Sequence, residues 1–276
     1  DIRAGLADVA QRRAEWWQAS GRNRWTEHVD FQDSKKTPFR LRLCDLLLHV
    51  IHHGVHHRAQ ALNYLKQFGR TVVGGIDYIF YRLAQGSLSQ SEETREALKN
   101  YGLAVNDSLG PDVAWDATTV IRQFEYSDWA HGKILQIASD LSDQQLDQPF
   151  DMGPGSIRKT LLHTYDAERW WNANWTSGPT RFPHSPHETT ISELKASWRK
   201  AADVRNGFLA QVDQSEAHRV LEISFGGPPI RIHVGDSAVQ LITHGTHHRA
   251  QLVNMLRHVG SPIGNIDLLY ALQDLS

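Results

Sequence analysis

An eight-residue string occurs twice in this chain, as His53-Gly-Val-His-His-Arg-Ala-Gln60 and as His244-Gly-Thr-His-His-Arg-Ala-Gln251. Seven of its eight positions are identical. The match extends outward in fixed register, pairing Asp45 with Asp236, Asn63 with Asn254 and Gly69 with Gly260. After a one-residue gap, Gly-Gly-Ile-Asp at 74–77 answers Gly-Asn-Ile-Asp at 264–267. A string so rich in histidine does not recur in register by accident, and the chain carries a duplicated domain.

The copies are unequal. A complete copy is expected over 112–276, and a partial one over 1–88 that holds only the counterparts of its last two helices with their hairpin. A linker over 89–111 separates them, with Glu92 to Tyr101 readable as a short exposed helix. Gly110-Pro111 punctuates the start of the second copy. The counterpart of residues 112–185 is missing ahead of the first motif. The chain opens on Asp1 rather than Met, so the natural protein is expected to extend further upstream.

In the complete copy, apolar residues at spacings of three to five predict a first helix from Trp115 to Leu141. Ser156 is the expected N-cap of a second helix that stops before Gly178-Pro179. Thr190 with Glu193 three residues on reads as a capping box for a third, which runs to Val212. Leu221, Ile223 and Phe225 alternate, Gly226-Gly-Pro-Pro turns, and Ile230 and Ile232 alternate back, which predicts a hairpin. Asp236 is expected to cap a fourth helix ending at Gly260. The expected fold is all-α: an up-down four-helix bundle with a small β-hairpin between helices 3 and 4, preceded by a partial copy of itself.

Composition narrows the function. A net charge of −2 with no long basic run gives no footprint for nucleic acid. Cys44 is the only cysteine, which excludes a disulfide framework and a cysteine-rich zinc cluster. The apolar runs fall far short of the roughly 20 residues that span a bilayer, and no signal peptide opens the sequence. A cytoplasmic protein with no membrane partner is the expectation.

The 16 histidines cluster rather than scatter. His244 and His248 lie one helical turn apart, where two imidazoles can converge on one cation. Such a pair alone reads equally well as a polar helical face, and the duplication, which repeats it as His53 and His57, shifts the balance toward a ligand pair. A third ligand must come from another helix. His163 lies mid-helix in an apolar stretch, where a lone histidine is more often a satisfied core residue; opposite an HxxxH pair, the ligand reading gains. Gln251, one turn beyond His248, is a candidate hydrogen-bond partner of a ligand, and His247 is expected to point toward helix 3 or solvent. His131 and Asp166 are weaker candidates for supporting the site, read equally well as a surface histidine and a solvated carboxylate. His53 and His57 would form a vestigial or second site, with His49, four residues before His53, as a conceivable compensating ligand.

The second copy resembles the DinB/YfiT-like superfamily of metal-binding four-helix bundles. The resemblance rests on Phe124-Glu-Tyr-Ser-Asp-Trp129, Ser156-Ile-Arg, Leu162-His163 with Ala167-Glu168 and Trp170, the His244–Gln251 string, and Ile266-Asp267. Ala250 stands where relatives commonly carry glycine. The resemblance implies a divalent metal on His163, His244 and His248, zinc or nickel before iron or manganese. It implies a metalloenzyme of the thiol-dependent transferase or hydrolase type, acting on a small molecule and using a low-molecular-weight thiol. The alternative is a non-catalytic metal-binding or stress-response protein with a sensing or structural site. Either an intrachain pseudo-dimer of repeats or a homodimer is consistent with it.

Overall fold

Apolar periodicity and capping residues together dictate most of the helices. The computed structural model of the chain describes residues 1–19, 24–70, 76–85, 88–99 and 115–274, and divides into two units, Asp1–His53 and Gly54–Ser276.

The first unit contains α1 (Ile2–Ala19), a hairpin of β1 (His28–Gln32) and β2 (Pro38–Arg42), and the opening of α2 (Leu43–Gln67). Phe31 pairs with Phe39 across the antiparallel hairpin, and their rings stack at 5.3 Å. Lys36 takes a left-handed φ of 69°, which the Asp33 carboxylate supports by accepting from the backbone N–H groups of Lys35 and Thr37. Helix α1 has no buried residue.

The second unit holds the rest of α2, then α3 (Tyr78–Ala84) and α4 (Glu92–Lys99), and then the helical bundle. Its four long helices are α5 (Ala117–Ala138), α7 (Ile157–Thr176), α8 (Ile191–Leu209) and α10 (Val234–His258). Short turns α6 (Asp143–Leu146) and α9 (Gln214–Ala217), the hairpin β3 (Val220–Ile223) and β4 (Ile230–His233), and α11 (Leu268–Asp274) complete it. Ser156 accepts from the Lys159 N–H, and Thr190 and Glu193 form a reciprocal capping box. Each cap contributes about 1 kcal/mol. Gly260, at φ 79°, ends α10 as expected.

Side-chain contacts fix the order and direction of the helices. Trp175 bonds Ser237, His163 faces His244 and Thr160 approaches Met255, so α7 and α10 run antiparallel. Asp128 meets Arg205 and His131 packs on Trp198, so α5 runs antiparallel to α8. Tyr165 packs on Trp198 and Trp175 on Phe208, so α7 and α8 are parallel, and α5 runs parallel to α10. Two helices therefore run each way, in the ring order α5–α8–α7–α10. Because α7 and α8 are parallel, the connection 177–190 must return along the length of α7. It does so in steps: Trp170 Nε1 donates to the Thr180 carbonyl, Phe182 lies by His163, and Ser185 is held by Asp166.

Two local expectations change. Asp236 does not cap α10, which begins two residues earlier as a direct continuation of β4; its buried carboxylate instead accepts from Tyr78 Oη at 2.9 Å and lies 2.8 Å from Arg82 Nε. Residues 92–99 are helical, but Thr94 and Leu98 are buried rather than exposed. Thr94 donates to the Pro229 carbonyl, and the Gln90 amide bonds both the N–H and the C=O of Arg231, extending the edge of β4. Residues 100–111, with the expected Gly110-Pro111 boundary, lie outside the described residues, as do Gly74, Gly75, Gly86 and Ser87. Among the described residues, no helix is long and apolar enough to cross a membrane.

The core of the bundle is pinned by a buried ionic group. Glu168 accepts from Trp198 Nε1 at 2.7 Å and from Arg205 at 2.5 Å, while Arg205 also reaches Asp128 and lies over the Phe124 ring. Burial raises the Glu168 carboxyl against the pull of Arg205. Arg205→Met should therefore strand a buried carboxylate and lower the unfolding free energy by about 3–5 kcal/mol, with Glu168→Gln added to it recovering part of the loss. Urea unfolding measures this; a single variant within about 1 kcal/mol of wild type would refute it.

Candidate metal centre

Helix α10 is buried on more than one face, since α7, α5 and α3 all pack on it. His244 and His248 project from the same side, one turn apart, with ring centroids separated by 4.4 Å. His163 comes from the neighbouring α7, its ring 5.3 Å from that of His244 and 4.8 Å from that of His248. One ligand atom from each of the three lies within 4.8 Å of the others, and His163 Nε2 is 3.2 Å from His244 Nε2.

The opposite ring nitrogens are engaged. His248 Nδ1 lies 2.7 Å from Gln251 Oε1, an acceptor, so its proton sits on Nδ1 and Nε2 keeps a lone pair. His244 Nδ1 faces Asp77 Oδ2 at 3.4 Å, which sets the same tautomer. Burial, reinforced by the neighbouring His244, pushes His163 down to about 4. Burial likewise holds His248 well below the usual imidazole range, with His244 and His163 adding to it. His247 is lowered by burial too. Burial would raise the Asp77 carboxyl, but the hydrogen bond and charge of His244, with that of His247, outweigh it and leave Asp77 below the ordinary value.

These residues fit a divalent ion. Imidazole nitrogens bind zinc-type ions at about 2.0–2.1 Å, which in a tetrahedron sets two of them about 3.3 Å apart. The observed 3.2 Å matches. The far nitrogens of His244 and His248 are hydrogen-bonded, as those of ligating histidines usually are. Gln251 also bonds His247 Nε2 through its amide nitrogen, so His247 is tied back along its own helix. Gly153, at φ 51°, makes room: a Cβ there would collide with the Gln251 amide.

Other expected residues lie elsewhere. His131 is fully buried, not on the surface, and packs on Trp198 at 4.5 Å. It meets α10 at Gly245, on the side of that helix facing α5, and so does not join the three histidines. Asp166 is buried too, but both its oxygens are taken by Ser185 and Arg169, so it anchors the 177–190 connection. His53 and His57 are exposed on α2, and His57 shares Gln60 with His56 just as His248 shares Gln251 with His247. Among the described residues, the one group of three possible ligands within reach of a single ion is His163, His244 and His248.

Asp77 is the residue that sequence reasoning misses. Its signal is the Ile-Asp that recurs at 76–77 and 266–267, which gives no hint that Asp77 reaches His244. Beside the histidines opens a cavity of 1020 Å³, bounded by α7, the 180–184 loop, the β3–β4 turn, α10 and the segment from Asp77 to Leu98.

A four-helix bundle carrying three convergent histidines on its second and fourth long helices is the class of protein these features define. The model of the DinB family matches residues 4–95 and 116–274, and the chain belongs to that family. One solved structure similar to it is YfiT from Bacillus subtilis, described as a probable metal-dependent hydrolase with an unusual four-helix bundle topology. The two are 16% identical with a TM-score of 0.44, over 54% of this chain and 93% of YfiT. No curated protein matches the sequence.

His131 supplies a pH test of the bundle. Burial, then Arg249 and Arg205, holds its folded-state value well below normal. The unfolded chain gains a proton at this residue below about pH 6.5 while the folded chain does not, so stability is lost as pH falls through that window. His131→Leu should flatten the fall in melting temperature between about pH 7 and about pH 5 relative to wild type; parallel curves would refute it.

Proposed function

We propose that this DinB-family chain is a metal-dependent enzyme of the thiol-dependent transferase or hydrolase type, whose divalent ion is held by His163, His244 and His248. The observation that carries the reading is the convergence of three imidazoles beside a cavity. Nitrogen-only ligation suits zinc or nickel first, with iron or manganese next. When bound, such an ion supplies Lewis acidity that lowers the pKa of a thiol or water brought to it.

The chain's own residues do the rest. Asp77 and Gln251 fix the tautomers and ring planes of His244 and His248, and the 177–190 connection shields His163 with Phe182. Among the described residues, no fourth histidine, cysteine or carboxylate joins the group, which favours an open catalytic position over a closed structural one. A small-molecule substrate that brings its own thiol, or takes one as co-substrate, would enter through the cavity.

Elemental analysis of the purified chain should find about one divalent ion per chain, lost in His163→Ala, His244→Ala and His248→Ala. Full metal in all three variants would overturn the site. Asp77→Asn should keep the fold but weaken zinc affinity by about 10–100-fold, measured by chelator competition; unchanged affinity would remove Asp77 from its role. Turnover assays with small thiols and with ester and amide substrates test the enzyme reading, and inactivity across all of them would leave metal binding without catalysis.

A further inference from the structure

Of the three histidines, His163 and His244 line the cavity, and they account for only one end of it. From there its walls are aromatic and aliphatic: Trp170 and Trp171 on α7, Phe182 on the returning connection, Phe225 in the β3–β4 turn, Phe80 on α3 and Leu98 on α4. The rings are contiguous. Phe182 lies 5.7 Å from the His163 ring and 5.9 Å from Trp170, and Trp170 lies 5.1 Å from Phe225, which is 55% exposed. An apolar track thus runs from solvent to His163.

Polar groups gather at the histidine end, in Asp77 and Gln240, and at the exposed residues Arg181 and His184. Along the track itself the hydroxyl of Thr94 is spent on the Pro229 carbonyl. A sugar- or peptide-like molecule filling this space would bury hydroxyls and amides without partners, whereas an apolar body would gain from every ring it covers. The volume is that of a small-molecule pocket, typically about 300–1,000 Å³.

We infer that this cavity takes a small molecule with an aromatic or branched aliphatic body and a single donor atom directed at the histidines, and that α3 and α4 set its selectivity. The donor end rests on the metal reading above; the apolar body does not. The α3–α4 wall precedes the bundle in the chain, so the bundle alone would lack that wall of the recognition surface.

Calorimetry on the full chain tests this. Zinc-loaded protein should bind benzyl mercaptan about tenfold or more tighter than mercaptoethanol, since the two share a thiol and differ in body. Ala97→Phe, at a partly exposed position on the α4 wall, should erase most of that preference, and Phe225→Ala, in the exposed turn, should reduce it. Equal affinity for the two thiols, or a preference untouched by both variants, overturns the inference. If zinc does not load, the metal reading fails by itself, and naphthol titrated into metal-free protein decides the apolar body. Binding that Ala97→Phe abolishes supports it, and no binding by wild type overturns it.

Discussion

The seam between α7 and α10 is the constraint on which the site depends. The two helices are held antiparallel by Trp175 bonding Ser237 near one end and by Thr160 approaching Met255 near the other. His163 can meet the His244–His248 pair only because that seam fixes both the register and the distance. The parallel pairing of α7 with α8 follows as a second consequence, since it forces residues 177–190 back along α7. That return path places Phe182 beside His163, and Asp166 is the anchor that holds it there.

The recurring octapeptide shows how much of this is local to one helix and how much is not. Gln60 bridges His56 and His57 as Gln251 bridges His247 and His248, because residues three and four apart on a helix are neighbours whatever surrounds them. The burial of the histidine and arginine positions does not carry over. The one position at which the two octapeptides differ is Val55 against Thr246. Thr246 Oγ1 accepts from Arg249, which is buried and also donates to Ser127 on α5. Its counterpart Arg58 is exposed, and valine offers it no acceptor. The octapeptide on α10 is the one that buries His248, and Asp77 reaches its His244 from just ahead of α3.

Helix ends and the hairpin were legible in the sequence because their causes are short-range: Ser156, the Thr190–Glu193 box, the alternation of Leu221 to Ile232, and the left-handed Gly260. The histidine triad was legible in stages, the helical pair from spacing and repetition, and His163 from its place opposite that pair together with the family resemblance. What was not legible depends on partners far away in the chain. Asp236 looks like a cap until Arg82 and Tyr78 arrive from α3. His131 sits two residues beyond Trp129 on α5, yet the ring order of the bundle turns it toward Trp198 and Gly245, away from the ligands. Asp77 lies in a motif with no spacing relation to His244 at all. No local pattern encodes which helices are diagonal, and these assignments turn on that.

X-ray absorption at the metal edge of the loaded full chain reaches the central claim most directly, because it reads the ligand atoms themselves. The expected first shell lies at roughly 2.0–2.1 Å and consists of light atoms that include three imidazoles, identified by their outer-ring scattering, with no sulfur from the protein. A sulfur shell in thiol-free buffer would point to Cys44, and a shell without imidazole scattering would place the ion on carboxylates. Either result would contradict a site built from His163, His244 and His248.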